Sequence, residues 1–330
     1  MKAKKSYLKY IAIAFAVIFV VSAALILLEM WEKRQNTFPD FSEDDGVVKY
    51  NGKEYVKKDK IETFLVLGLD KYEGDATAES HEHGVQADFL MLFVFNNETK
   101  QTSAIHINRD SMTKVNKLSV GGTSVVDSYT KQIALAYNYV NDSNDKIRCR
   151  NTKDSVEYLL NGIKVDHYLS VTMDFVSASS ELVGGVEVTV LDDFTGIDDT
   201  LVKGEKVTLS GERALTYVRT RYGLEDNTNG TRMARQQQYI NALYDKIVSR
   251  AESDGEFLLN AVATLDDYVT YDSSGQRMQE FAEKFKDYEF LGVRDIAGET
   301  KVGEYVEFYP DENSVCEIVL DLFYKEKDGQ

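Results

Sequence analysis

The stretch ADFLMLFVFNNETKQTSAIHINRD, Ala87–Asp110, decides how this chain folds. Asp88 opens an apolar run, Phe89–Phe95, and the polar cluster Asn96–Lys100 breaks it. Ser103–Ile107 then runs back and ends at Asn108-Arg109-Asp110. A turn this short joins antiparallel strands, so the hairpin brings its end back to its start. Asp88 and Arg109 are therefore expected at one edge of a sheet. Upstream, Thr63–Leu69 reads as another apolar strand, and Asp70 follows it. Asp70 joins the same edge if that strand runs parallel to Ser103–Ile107. Strand logic thus gathers two carboxylates and an arginine at one rim, although acidic residues at strand ends also populate ordinary turns.

Around this hairpin the periodicity predicts a helix over Asn151–Leu160 capped by Thr152, a strand over Val165–Met173 and a helix over Phe175–Val183. Gly184-Gly185 stops that helix, and Val186–Leu191 is the next strand. Arg235–Ser249 is amphipathic, with Tyr239, Ile240, Leu243, Tyr244 and Ile247 at helical spacing, and Gln276–Lys286 is a further helix. Asp127–Val140 reads as a helix or an irregular segment. Runs such as FLMLFVF suit either a tunnel wall or a plain core, and the core is the default reading.

Positive charge collects in Gly211–Gln238, GERALTYVRTRYGLEDNTNGTRMARQQQ, where Arg213, Arg219, Arg221, Arg232 and Arg235 stand in a chain of net charge −17. Guanidinium presents a planar fork of donors that matches phosphate oxygens two at a time. If TYVRTR is extended, Arg219 and Arg221 share a face; on a helix, Arg232 and Gln236 share one. Such a group would hold a phosphate or diphosphate. The alternative is that these arginines pair with surface Asp and Glu, which contributes little. Mg²⁺ or Mn²⁺ suits carboxylates at a rim, with phosphate oxygens completing the shell. No phosphate loop of Walker type, kinase signature or Gly-x-Ser-x-Gly elbow occurs, and the acidic balance argues against nucleic acid as a partner.

At the start, Lys2, Lys4, Lys5 and Lys9 precede an apolar run from Tyr10 to Leu28. A run of roughly 20 residues spans a bilayer, whereas a cleaved signal has about 7–15 and ends at small residues. The apolar stretch continues past Ser22-Ala23-Ala24, which favours a retained anchor over a signal peptide. The basic flank puts residues 1–9 in the cytoplasm, 10–30 in the cell membrane and the rest outside. Residues 31–61 read as a polar stalk carrying a short β-ribbon, GVVKYNGKEYVKK, and 62–330 as the catalytic domain. His81-Glu82-His83 lies in a polar loop with no third ligand placed by pattern, so a solvated loop is the reading preferred to a metal site. Cys149 and Cys316 are far apart in sequence and imply no disulfide framework.

Four stretches in one order, FLVLGLD (Phe64–Asp70), ADFLMLFVFN…IHINRDSM (Ala87–Met112), NGIKVDHYLSVTMDF…LVGGVEV (Asn161–Val188) and GERALTYVRTR…RMARQQQ (Gly211–Gln238), closely resemble the LytR-CpsA-Psr family of bacterial cell-envelope transferases. The likeness covers nearly all of residues 62–250. It implies an α/β fold, a three-layer α/β/α sandwich around a mixed sheet, with an apolar pocket for a polyisoprenyl chain. It also implies transfer of a glycopolymer, such as teichoic acid or capsule, from undecaprenyl diphosphate onto a peptidoglycan hydroxyl. By position, Asp70 and Asp88 resemble the Mg²⁺-associated acids, and Arg109, Arg219, Arg221, Arg232 and Gln236 the diphosphate-binding set. The chain departs from the family pattern at Gln86 (usually arginine), Asn108 (proline), Asn229 (an acid) and Lys71 (small or arginine). A non-catalytic lipid-diphosphate binder or envelope sensor, and a lipid-diphosphate hydrolase, are the other readings open to such a site.

Overall fold

The computed structural model describes residues 38–39, 41, 46–71, 85–140, 143–220, 223–224 and 229–327. The anchor expected over 10–30, the His81-Glu82-His83 loop and Arg221 lie outside the described residues. Among those described, no helix is long and apolar enough to cross a membrane.

A short ribbon comes first, β1 (Val47–Tyr50) and β2 (Lys53–Lys57). The central strands follow as β3 (Ile61–Leu69), β4 (Ala87–Asn96) and β5 (Gln101–Ile107), and then a second hairpin, β6 (Met112–Leu118) and β7 (Val125–Gln132). Helix α1 (Asp145–Leu159), β8 (His167–Val171), α2 (Met173–Leu182), β9 (Val186–Thr189) and β10 (Lys206–Leu209) lead to α3 (Glu212–Arg219) and the long α4 (Asn229–Ser253). The chain ends with α5 (Phe257–Leu265), β11 (Val269–Tyr271), α6 (Gly275–Phe285), β12 (Glu289–Asp295), β13 (Gly298–Val302), β14 (Val306–Pro310), α7 (Glu312–Phe323) and β15 (Tyr324–Glu326).

Six strands form the central sheet in the order β11-β8-β3-β4-β5-β12. The hairpin read from Ala87–Asp110 is there, and β3 and β5 both run antiparallel to β4, hence parallel to one another. With β8 parallel to β3 and β12 parallel to β5, the sheet is mixed and the fold is mixed α/β. Alternation along β3 sends Leu65, Leu67 and Leu69 to one face, where they pack with Val156 of α1 and with Val319 and Phe323 of α7. Phe64 and Val66 face the other way, toward Phe281 and Phe285 of α6. Burying each large apolar side chain contributes about 1.5–3 kcal/mol, which is why strand register is strongly specified here.

Several expectations change. Asp127–Val140 is neither all helix nor irregular: its first half completes β7, and Ile133–Tyr137 forms a 3₁₀ turn. The strand exposes most of its side chains, so its pattern lacks an apolar alternation. Helix α1 starts earlier than Thr152, at an N-cap supplied by Asn144, whose side chain accepts from Lys146 N at 3.0 Å. Thr152 instead lies inside the helix and donates to Arg148 O. Val186–Thr189 forms a strand outside the central sheet, paired, among the described residues, with β10 alone. The β1–β2 ribbon pairs with C-terminal β15, so it is tied to the end of the chain. Cys149 and Cys316 are both buried free thiols.

Candidate active site

The rim forms where β3, β4 and β5 end together, and a β-bulge shapes it. Gly68 opposes Phe89 but Leu69 opposes Ala87, leaving Asp88 as the extra residue on β4. A bulge of this kind re-aims a side chain at a sheet edge. Gly68 makes it possible, since a Cβ there would lie 2.9 Å from that of Phe89. Asp70 closes the strand pair, with its Oδ1 accepting from Gln86 N at 2.6 Å and its own N–H donating to Gln86 O at 3.1 Å.

Asp88 stands between two guanidinium groups, Arg109 Nη1 2.7 Å from its Oδ1 and Arg232 Nη1 3.3 Å from its Oδ2. Arg109 also donates to Gln86 Oε1. Arg232 reaches Asn229 Oδ1 through Nε at 3.0 Å and Nη2 at 2.6 Å. Asn229 Nδ2 in turn donates to Asn108 Oδ1 at 2.7 Å. Two of the departures, at 86 and 229, are therefore contacts of the arginines themselves, and the third, Asn108, supports Asn229. Asn229 aligns Arg232 from the first residue of α4. Lys71 turns away from the rim, pairing with Asp145 at 2.6 Å.

The arginine run separates into two roles. Thr216–Arg219 is not extended: Arg219 ends α3, because Gly211, at φ +56°, turns the chain and Ala214, Leu215, Tyr217 and Val218 bury a helical face. Arg235 is fully buried, 2.8 Å from Asp192, with its guanidinium donating to the carbonyls of Tyr217 and Thr220. Arg213 donates to Thr200 O at 2.9 Å. Those two arginines hold the fold, and Arg235 does so in a buried pair rather than in the surface pairing that was the alternative. Arg232 and Gln236 do share one helical face, and Gln236 Nε2 donates to Val218 O at 3.3 Å.

Asp88, Arg219, Arg232 and Gln236 stand at one apolar slot between the sheet and helices α2, α3 and α4. Phe89, Val171, Phe175, Leu215, Tyr239 and Leu243 are among its walls. Of FLMLFVF, only Phe89 enters this slot, while Leu90, Met91 and Leu92 are core. The slot was not legible in the sequence, since its wall residues carry the same helical and strand patterns as residues that face a filled core.

Behind Arg232, His106 of β5 is 1% exposed, and burial together with the nearby Arg232 charge pushes its pKa down to about 3. The folded protein therefore keeps it neutral at a pH where the unfolded chain would protonate it, near 6.5. Between pH 6.5 and about 3 the unfolded state binds more protons, so this residue's stabilisation is lost as pH falls through that window. The stability difference between wild type and His106→Gln, measured by melting, should shift against the wild type on going from pH 7 to pH 4.5. An unchanged difference would show that His106 does not titrate on unfolding.

The site is an apolar slot with guanidinium groups at its edge, built on a mixed α/β sheet, and its chemistry can accept an amphiphile with an anionic head. The chain belongs to the LytR_cpsA_psr family, whose model matches residues 27–317. It is 25% identical to the polyisoprenyl-teichoic acid–peptidoglycan teichoic acid transferase TagU of Bacillus licheniformis, over 97% of this chain and 96% of that one. It is 24% identical to TagU of Bacillus subtilis, over 89% and 87% of the two chains. A solved structure of TagT bound to LI-WTA has the same fold, with a TM-score of 0.59 at 19% identity over 80% of this chain and 90% of that one.

Proposed function

We propose that this protein transfers a glycopolymer from a polyisoprenyl diphosphate carrier onto a sugar hydroxyl of peptidoglycan. The observation that carries the reading is the apolar slot ending at Asp88, Arg219 and Arg232, in a chain similar to TagU along nearly its whole length. The lipid would lie in the slot and the diphosphate at its mouth, against Arg109, Arg219, Arg232, Gln236 and, by the family pattern, Arg221. The acceptor hydroxyl attacks the phosphorus that bears the glycan. The bond from that phosphorus to the bridging oxygen breaks, and polyisoprenyl phosphate leaves with the electron pair. Charge growing on the leaving phosphate is what the guanidinium groups stabilise. Asp70 and Asp88 are the rim carboxylates that could take the hydroxyl proton, and Asp88 also keeps Arg109 and Arg232 aligned.

Mg²⁺ or Mn²⁺ fits the donor chemistry, since both acids offer hard oxygen ligands on strands joined at one bulge. Among the described residues no three His, Cys, Asp or Glu side chains gather for a metal, so the ion would rely on substrate phosphates for the rest of its shell. When bound, it would neutralise phosphate charge alongside the arginines.

Helices on both sheet faces support the three-layer α/β/α reading. The proposal includes an anchor over 10–30, with residues 1–9 cytoplasmic and the catalytic domain outside, which protease shaving of intact cells tests. For the activity, the full chain is assayed with a polyisoprenyl diphosphate–saccharide donor and a peptidoglycan acceptor, with and without chelator. Transfer that chelator abolishes and Mg²⁺ restores is the expected result. Tight lipid-diphosphate binding without transfer would identify a binder instead, and full activity in chelator would remove the metal.

A further inference from the structure

Strand β7 is an open edge. Among the described residues it pairs with β6 alone, and six of its eight residues are exposed. Open edges are ordinarily blunted by bulges or lysines, because their free N–H and C=O groups accept a further strand. The bulge in this hairpin falls at Val126, near the tip, where Lys117 opposes Asp127 but Leu118 opposes Val125. From Asp127 to Gln132 the register is unbroken, so a regular edge remains.

The charges on that edge are self-complementary. Alternation puts Asp127, Tyr129 and Lys131 on one face of β7, and Tyr129 Oη donates to Asp127 Oδ2 at 2.6 Å. Neither Asp127 nor Lys131 forms an ion pair among the described residues. When two copies of a strand join antiparallel about a twofold axis, the residue on the axis sets every other pair. Centred on Asp127 or Lys131, like charges meet. Centred on Ser128 or Thr130, each charge meets a neutral residue. Centred on Tyr129, Asp127 of each copy meets Lys131 of the other, and the two tyrosines meet at the axis. Opposite charges and paired aromatic rings are what stabilise such a ladder.

The apolar ends favour the same arrangement, in which the tip of one hairpin lies over the base of the other. Val120 and Val126 at the tip are 75% and 64% exposed. Beside the base stands the β13–β14 turn, tied there by Gln132 Nε2, which donates to Val306 O at 2.5 Å. That turn exposes Val302 and Tyr305, at 77% and 57%. One axis therefore covers each apolar patch with the other, twice. We infer that β7 is a self-association edge, through which a second copy of this chain extends the β6–β7 ribbon into a four-stranded sheet centred on Tyr129.

The test is cysteine cross-linking of the purified full chain in detergent, with an oxidant mild enough to leave the buried Cys149 and Cys316 unlinked in the wild type. Residues opposed across an antiparallel pair have Cα atoms about 4.5–5.5 Å apart, within disulfide range. Tyr129→Cys should therefore give a covalent dimer. In this register the two copies of residue 125 lie roughly 26 Å apart, so Val125→Cys, at a more exposed position, should give none. Added to Tyr129→Cys, either Asp127→Lys or Lys131→Asp sets like charges opposite and should lower cross-linking about tenfold. Mixing those two charge variants makes both pairs complementary again and should recover most of the dimer, which also shows that both fold. The self-association edge is overturned if residues 125 and 129 link equally, if Tyr129→Cys yields no dimer, or if the mixture links no better than its components.

Discussion

Replacing Arg232 with alanine should lower transfer by about 10²–10³-fold, the scale seen when one preorganised donor to a developing anion is removed. Arg232 is suited to that role because its geometry is set before substrate arrives. Nε and Nη2 are held by Asn229 and Nη1 by Asp88, so little reorganisation remains at the moment of reaction. Its side chain is only 5% exposed, so loss of activity has to be separated from loss of fold. Arg232→Lys makes that separation, keeping the charge while replacing the fork with a point donor. We expect Arg232→Lys to melt near the wild-type temperature yet lose at least tenfold in kcat/KM, since a charge-assisted hydrogen bond contributes about 1.5–3 kcal/mol. Wild-type kcat/KM in Arg232→Lys would show that charge alone suffices and that the fork held by Asn229 is not used.

The second large effect concerns Arg235, three residues further along α4, and it should appear in stability. Its guanidinium is inaccessible, sits 5.3 Å from the Phe194 ring centre and 5.8 Å from that of Tyr217, and joins Asp192 to the carbonyls that end α3. Arg235→Ala leaves Asp192 buried without its countercharge and two carbonyls without donors, a defect that costs about 3–5 kcal/mol. For a chain of this size that corresponds to a fall in Tm on the order of 10 °C. Arg235→Met combined with Asp192→Asn should recover part of the loss, because removing both charges removes the unpaired one. A fall below about 2 °C for Arg235→Ala would mean that water replaces the pair. Because the same carbonyls terminate α3, the variant should also displace Arg219, and activity should drop further than the melting shift explains.

The two arginines differ in a way that spacing could not reveal. Both lie in RMARQQQ, both are buried, and both meet a carboxylate. Arg232 meets one that sits on a bulge at the slot mouth; Arg235 meets one in the loop after β9. One turn of helix is 3.6 residues, so a step of three moves a side chain most of the way round and onto a neighbouring environment. The three glutamines after them diverge for the same reason: Gln236 borders the slot, Gln237 reaches Asp295 at 2.5 Å, and Gln238 reaches Thr189 O at 2.9 Å.

What the amino-acid sequence determined by itself was the rim. An apolar run, a five-residue turn cluster and a returning strand leave only one pairing that buries both apolar faces, and that pairing puts Asp88 beside Arg109. The ends of β3 and α2 were equally legible, because Asp70 and Gly184-Gly185 are local signals that act within a few residues. Tertiary structure alone decided the rest. It made Thr216–Arg219 the end of a helix through burial of Leu215, Tyr217 and Val218. It made Asn229 the support of Arg232, and it built the apolar slot. Those outcomes depend on which surfaces of separate elements come to face each other and how fully they fill the space between, and a side chain facing a slot obeys the same local periodicity as one facing a packed core.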